Sequence, residues 1–367
     1  MTSGDAPSRV RLHLTNVAGV GASQLLQSLL PALERVPGVH IEHIYLPNRG
    51  PLAGYRSSNP ETVVSRYERV LPNSLSRVAE CTWLANQFEG SSPLVVFGDL
   101  PLRCRSTSQT VFLQTPKLLH APGARFSPPE FKYVVARAVF RLNKHRARRF
   151  IVQTDLMRRE LERVHPDLQG RIRVVPQPVP AWLLRSGLSR RNRLETSSGD
   201  LRLIYPAAGY PHKNHALLGS LNPQASWPVE RLLLTLDSDR NPAPQLPWVT
   251  CAGLLDSAQM IAEYGQADAL LFLSKQESYG FPLVEAMFIG LPIVCADLPY
   301  ARVLCGDQAI YFDPDSGESL LAALRNLRDR LENGWWPQWD AHLARIPRDW
   351  ETVAEEMLKV ALEAQVD

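Results

Sequence analysis

The sequence predicts an α/β protein built as two halves, each around a parallel sheet. Three observations carry this expectation. Strand-like apolar runs alternate with helix-like periodic segments along both halves of the 367 residues. Runs such as Ala269-Leu-Leu-Phe-Leu273 are short and wholly apolar, which suits strands covered on both faces. Between the halves, residues 186–200 are polar, basic and serine-rich, the composition of a linker.

The elements follow in order. Residues 9–15 read as a first strand, 16–22 as a glycine turn and 23–35 as a helix, the opening of a βαβ unit. Further strands are expected at 39–46, 93–97, 110–113 and 149–153. A second βα series has strands at 201–206, 230–236, 248–251, 269–273, 293–296 and 310–312. A last amphipathic helix begins after Asp349 as N-cap, with Trp350, Val353, Met357 and Ala361 forming its apolar stripe. The domains are therefore 1–180, a linker at 181–200, 201–340, and a terminal helix in 341–367. Ligands of open α/β sheets bind outside the carboxyl ends of the strands, so both halves are expected to turn those loops toward a shared cleft.

Composition narrows the function classes. With 45% hydrophobic and 21% charged residues, the chain has material for two cores. A net charge of +3 is too small to imply a nucleic-acid partner. Residues 1–9 lack the basic-then-apolar pattern of a signal peptide, and no run is long enough to span a bilayer. The five cysteines are odd in number and widely spaced, which fits a reducing cytoplasm better than a disulfide framework.

Chemistry concentrates in Ser274-Lys-Gln-Glu-Ser-Tyr-Gly-Phe-Pro-Leu-Val-Glu285. A strand ends, a loop follows, and a helix opens at Gly280, with Pro282 in its first turn and Gly290 placed to close it. Amides around Gly280, Phe281 and Leu283 would be open donors for phosphate. Glu277 precedes the turn and Glu285 falls in the first turn after it, both able to accept from sugar hydroxyls. The plain alternative is that Glu285 complements the helix dipole and Glu277 caps a loop. The first strand of the second half ends in a Gly/Pro turn, and Lys213 sits just before the helix that follows, where it can meet a diphosphate as a point charge. Its plain alternative is a solvated lysine. His212 and His215 flank it, but without a nearby carboxylate they are weak evidence for a metal.

On these residues the chain resembles glycosyltransferase family 4, the retaining enzymes of GT-B fold, and in it a bacterial surface-polysaccharide subgroup. The likeness runs from Gln266 to Asp297, through Tyr205-Pro-Ala-Ala-Gly-Tyr-Pro-His-Lys-Asn-His215, and on through Leu298-Pro-Tyr-Ala-Arg302 and Ala309-Ile-Tyr-Phe-Asp-Pro314. It implies that Glu285 holds the donor ribose, Glu277 attends the transferred sugar, and Lys213 binds the diphosphate. It further implies that Gly280, Phe281, Pro282 and Leu283 line sugar and diphosphate, that Leu254 shapes the nucleobase pocket, and that Gly19 and Gly21 form the first-half glycine turn. Asp99 and Gln114 are candidates for sugar or acceptor contact. The pattern departs at 207–212, which lacks an arginine, in the first half, which lacks the family's histidine, and at Val303, where an acid is usual.

The resemblance implies a nucleoside-diphosphate sugar as donor substrate, no cofactor and no metal requirement. The acceptor would be a growing, lipid-linked polysaccharide or lipopolysaccharide glycan, and the setting cytoplasmic. Residues 131–149 add a basic helix pattern. Arg137, Arg141, Lys144 and Arg148 make one stripe and Phe131, Val135, Ala138 and Leu142 the other, a candidate contact with the inner face of the membrane. An ordinary surface helix packed by its apolar side is the commoner outcome of such a pattern. The competing functional class is a non-catalytic nucleotide-sugar-binding protein with a degenerate GT-B cleft.

Overall fold

The computed structural model describes residues 7–17, 20–68, 73–118, 128–190 and 200–366. The chain divides into two compact units, residues 1–177 with 347–367, and residues 178–346.

The first unit holds seven parallel strands: β1 Ser8–His13, β2 Val39–Pro47, β3 Val63–Tyr67, β4 Leu94–Val96, β5 Gln109–Phe112, β6 Ala147–Val152 and β7 Ile172–Val174. Their order is β3-β2-β1-β4-β5-β6-β7. The chain runs outward from β1 to β3, then returns to the other side of β1 with β4. That reversal between β1 and β4 is the topological switch point. The helix Trp350–Val366 packs on the helix Val20–Arg35 and on β1, β5 and β6. It buries Trp350, Val353, Met357 and Ala361, and Asp349 accepts the Thr352 amide at 2.8 Å as its cap.

The second unit holds six: β8 Leu201–Tyr205, β9 Val229–Leu234, β10 Val249–Cys251, β11 Ala269–Phe272, β12 Ile293–Ala296 and β13 Ile310–Phe312, in the order β10-β9-β8-β11-β12-β13. Every pair is parallel, and β11 and β12 are buried at every position. Here the reversal falls between β8 and β11.

The structure departs from the sequence expectation in three places. Strands β3 and β7, both sheet edges, were not expected, although the edge strands β10 and β13 of the second sheet were. β3 is half-exposed throughout, and β7 is a three-residue strand with only Ile172 buried. Residues 181–190 are packed parts of the second unit and not a free linker. They include the helix Ala181–Leu184 with Leu183 buried, and Arg190, which donates from its backbone to Ile289 O and from its side chain to Ala267 O. The 191–199 part of that expectation lies outside the described residues.

The basic stripe of 131–149 is the third departure. The helix Pro128–Asn143 stops before Lys144, which lies in a 3-10 turn, and Arg148 lies on β6. Val139 and Phe140 are buried, whereas Ala138 is exposed and Leu142 is 74% exposed, so the expected apolar face is not the packed one. The side chain of Phe131 lies outside the described residues. Among the described residues no helix is long and apolar enough to cross a membrane.

Candidate active site

Strands β8 and β11 are parallel neighbours, with Ala269 opposite Leu203 and Leu270 opposite Ile204. The loops leaving their carboxyl ends therefore meet at the switch point, the usual ligand crevice of such sheets. Backbone bonds fasten one loop to the other. The His212 carbonyl accepts the Lys275 amide at 2.8 Å and the Ser274 hydroxyl at 3.3 Å. Tyr300 donates to the Ser274 carbonyl from behind, and Tyr205 donates to the Lys213 carbonyl at 2.7 Å.

This scaffold brings Lys213 and Glu277 together, 64 residues apart in sequence, with Nζ 2.5 Å from Oε1. Their side chains are 16% and 11% exposed, so the pair is largely screened from water. The Lys213 ammonium also stands 5.9 Å from the centre of the Phe272 ring. His215 is buried, and burial with the adjacent Lys213 pushes it down to about 4, so it is neutral near pH 7. The helix after Lys213 is a single turn, Ala216–Gly219, too short to add much dipole to the lysine charge. Among the described residues no group of three or more His, Cys, Asp or Glu is placed to hold a metal.

The helix Phe281–Ile289 opens on Gly280 with φ +90° and closes on Gly290 with φ +85°. Both are left-handed conformations that glycine adopts without strain. The Leu283 amide is not an open donor. It bonds the Gly280 carbonyl at 2.9 Å, and its side chain is fully buried. The turn can therefore offer a ligand the amides of Gly280 and Phe281, beside the half-exposed Phe281 and Pro282.

Glu285 is not in the first turn, as expected, but is the fifth residue of this helix, and it is only 8% exposed. That removes the helix-dipole explanation, which acts within the first turn. Its Oε2 accepts from the fully buried Tyr264 hydroxyl at 2.6 Å. Burial pushes the carboxyl up to about 7, while the Tyr264 bond pulls the other way. Tyr264 is the residue that sequence reasoning missed. Its signal was available, since Met260 and Tyr264 sit four apart on the inward face of the helix Ser257–Gln266, and a buried tyrosine needs an acceptor. Tyr264→Phe is expected to raise the Glu285 pKa further. Where nucleotide binding needs the ionised carboxylate, its pH midpoint should move upward, as a titration of nucleotide affinity between pH 6 and 9 would read.

The remaining expected residues are more dispersed. Leu254, just past β10, is 77% exposed, an uncovered apolar surface at the carboxyl edge of the second sheet. In the first unit, Gly21 lies inside the helix Val20–Arg35 and not in the turn before it, and a Cβ there would meet nothing within 4 Å. Gly19 lies outside the described residues. Asp99, with φ +65°, follows β4 at the first sheet's switch point. Its carboxylate accepts the Gln114 and Thr115 amides at 2.6 and 3.1 Å and the Thr115 hydroxyl at 2.7 Å, with Arg77 3.7 Å away. Asp99 thus fastens two loops, and Gln114 takes part through its backbone. Beneath them, at the end of β1, the buried His13 stands 2.8 Å from Glu80 and 3.1 Å from the Thr15 hydroxyl.

Two parallel α/β units, with a lysine–acid site at the second switch point, define a protein of the GT-B glycosyltransferase fold. Residues 235–330 match the family of glycosyl transferases group 1. It is 30% identical over 92 residues to the serotype-specific mannosyltransferase WbdA of Escherichia coli, a match covering 23% of this chain and 11% of that protein. It is 33% identical over 64 residues to the O-antigen chain mannosyltransferase RfbU of Salmonella typhimurium, covering 17% of this chain and 18% of that one. The matched stretches thus span less than a fifth of these relatives' own length. Two solved structures share the whole fold. Sucrose-phosphate synthase from Thermosynechococcus elongatus has a TM-score of 0.69 at 16% identity, over 97% of this chain and 98% of that one. WaaG, a glycosyltransferase involved in lipopolysaccharide biosynthesis, has a TM-score of 0.66 at 16% identity, over 96% and 99%.

Proposed function

We propose that this chain is a retaining glycosyltransferase that moves a sugar, with mannose the first to test, from a nucleoside diphosphate to a growing bacterial surface glycan. The acceptor in this reading is a lipid-linked O-antigen or lipopolysaccharide chain, and the setting is cytoplasmic. The observation that carries the reading is the Lys213–Glu277 pair at the β8/β11 switch point, with Glu285 buried on the next helix. The mannosyltransferases that match part of the chain favour the substrate class.

The pair suggests how the donor would bind. An incoming diphosphate takes over the Lys213 ammonium and so releases Glu277 to accept from sugar hydroxyls. The Gly280 and Phe281 amides add donors for the diphosphate, and Glu285 accepts from the ribose. In the reaction the bond between the anomeric carbon and the diphosphate oxygen breaks, and the acceptor oxygen bonds the same face of that carbon. The acceptor proton passes to the leaving diphosphate. Lys213 stabilises the charge that grows there, so this reading assigns no step to a metal or cofactor.

The test is transfer and donor hydrolysis with GDP-, UDP-, dTDP- and ADP-sugars and a membrane glycan extract, with and without EDTA. Turnover with one donor class is expected, unchanged by EDTA and about 10²-fold lower in Glu277→Gln. A donor that raises the melting temperature yet never turns over with any extract would make the chain a binding protein.

A further inference from the structure

The loops leaving three neighbouring strands of the second sheet present charged residues in the order of the strands. β9, β8 and β11 lie side by side, with Leu234 opposite Tyr205 at the carboxyl ends of the first two. The loop after β11 bears Glu277, the loop after β8 bears Lys213, and the 3-10 turn Ser238–Arg240 after β9 bears Arg240. In that order Lys213 stands between Glu277 and Arg240.

Packing brings Arg240 against the Lys213 loop. Leu236 is buried next to Gly209, and a Cβ built on Gly209 would lie 3.4 Å from the Leu236 Cδ2. The same Cβ would lie 3.7 Å from Arg240 Nη1 and 3.9 Å from its Cζ, so the guanidinium rests on the face of Gly209 that carries no side chain. Gly209 is not among the glycines with positive φ, so its backbone does not demand glycine. What glycine gives here is room, since any side chain longer than that of alanine would compete with the guanidinium. From Gly209 the loop turns directly to Lys213, whose amide bonds the Tyr210 carbonyl at 2.9 Å.

The Arg240 head group is nevertheless unused. Arg240 is exposed, and among the described residues its side chain makes no hydrogen bond or ion pair, although Asp237 and Asp239 are near in sequence. Its backbone is held, because its amide bonds the Asp237 carbonyl at 2.9 Å and the Leu236 carbonyl accepts the Gly253 amide at 2.8 Å. Lys213, in contrast, is already paired with Glu277. A donor diphosphate bears charge on both phosphates, and one lysine balances only part of it. A guanidinium can bond two phosphate oxygens at once through its planar fork.

Given the nucleoside-diphosphate donor proposed above, on which this inference rests, we propose that Arg240 is the second cation of the donor site. It bonds the diphosphate beside Lys213, from the side opposite Glu277. The loop after β9 thus joins the loops after β8 and β11 as a part of the site.

Titration calorimetry on the full chain measures affinity for GDP, UDP, dTDP and ADP, and for the nucleoside of whichever diphosphate binds tightest. Arg240→Gln is expected to weaken that diphosphate by about tenfold or more, the scale of a hydrogen bond to a charged group, and to leave the nucleoside unchanged. Arg240→Lys keeps the charge without the fork and should fall between glutamine and wild type. The melting temperature without ligand should stay the same in both variants, because among the described residues the side chain has no partner to lose. If the glutamine variant binds the diphosphate as the wild type does, Arg240 is a solvated surface residue and the inference is wrong. If diphosphate and nucleoside weaken equally, Arg240 meets the base and its diphosphate role is overturned. If the wild-type chain binds none of the four diphosphates, the donor reading itself fails and the inference falls with it.

Discussion

Lys213→Ala is expected to lower turnover by about 10²- to 10³-fold, the loss typical of removing one group that stabilises charge developing in a transition state. The substitution does more than delete a cation. It leaves the Glu277 carboxylate, 11% exposed, without the ammonium that sits 2.5 Å from it. That carboxylate would then face the donor diphosphate as a like charge, so donor KM should rise along with the fall in kcat. The folded state is affected as well, because an acid buried this far and stripped of its partner is destabilising by about 1–3 kcal/mol. A double variant separates the two effects. Adding Glu277→Gln to Lys213→Ala should restore most of the lost stability, since no unpaired charge remains, and none of the turnover. Thermal melts and initial rates on the four proteins close the cycle. A Lys213→Ala protein with wild-type turnover would mean that the leaving group is stabilised elsewhere.

Glu285→Gln is expected to alter stability in a way that depends on pH. Burial holds the folded carboxyl at about 7 against an ordinary 4.5, so the folded state keeps a proton that the unfolded chain releases. Below pH 4.5 both states are protonated and the group contributes no penalty. Between pH 4.5 and 7 the folded state binds more protons than the unfolded one, so stability falls as pH rises. Above 7 the full cost is present, about 3 kcal/mol. Glutamine carries no charge and should remove this slope. The variant should match the wild type near pH 4.5 and exceed it by that amount at pH 8, as denaturant midpoints at the two pH values would read.

The groups around Glu285 do not alter the sign. Tyr264 is neutral throughout this range, since burial pushes it well up. Cys295 and Tyr300, from the neighbouring β12 and the helix Pro299–Cys305, are also pushed up by burial, and Asp297 is neutralised by Arg302 at 2.6 Å. A protein that carries such a cost at an acid it could replace with glutamine has a use for the carboxylate. In the proposed reaction that use is the donor ribose, so the same variant should bind nucleotide more weakly while folding more firmly.

How legible each part was depends on where its cause lies. Strands β11 and β12 could be read from local composition, because a strand covered on both faces must be apolar at every position. Their observed spans differ from the expected ones by a residue at most. Strands β3 and β7 carry no such apolar run, since Val63–Tyr67 and Ile172–Val174 include Ser65, Arg66 and Arg173, and they were not read. The glycines at 280 and 290 could be read because a helix needs left-handed backbone at those ends. The helix at 128–143 was misread because its periodicity admits more than one inward face. In the folded chain Val139 and Phe140 pack into the core cluster and Leu142 stays outside, while the next residue, Asn143, bonds Cys81 and Pro101.

The sequence alone determined the two-part α/β plan, the loop that carries Glu277, the helix that carries Glu285 and the place of Lys213 between the first strand of the second half and the next helix. Those features follow from period, turn chemistry and capping, which act within a few residues. Only the tertiary structure decided which charges meet. Lys213 reaches Glu277 because β8 and β11 pair across a reversal of strand order, and Tyr264 reaches Glu285 because two helices bury it against the carboxylate. Pairing and burial depend on segments distant in sequence, and so no local pattern records them.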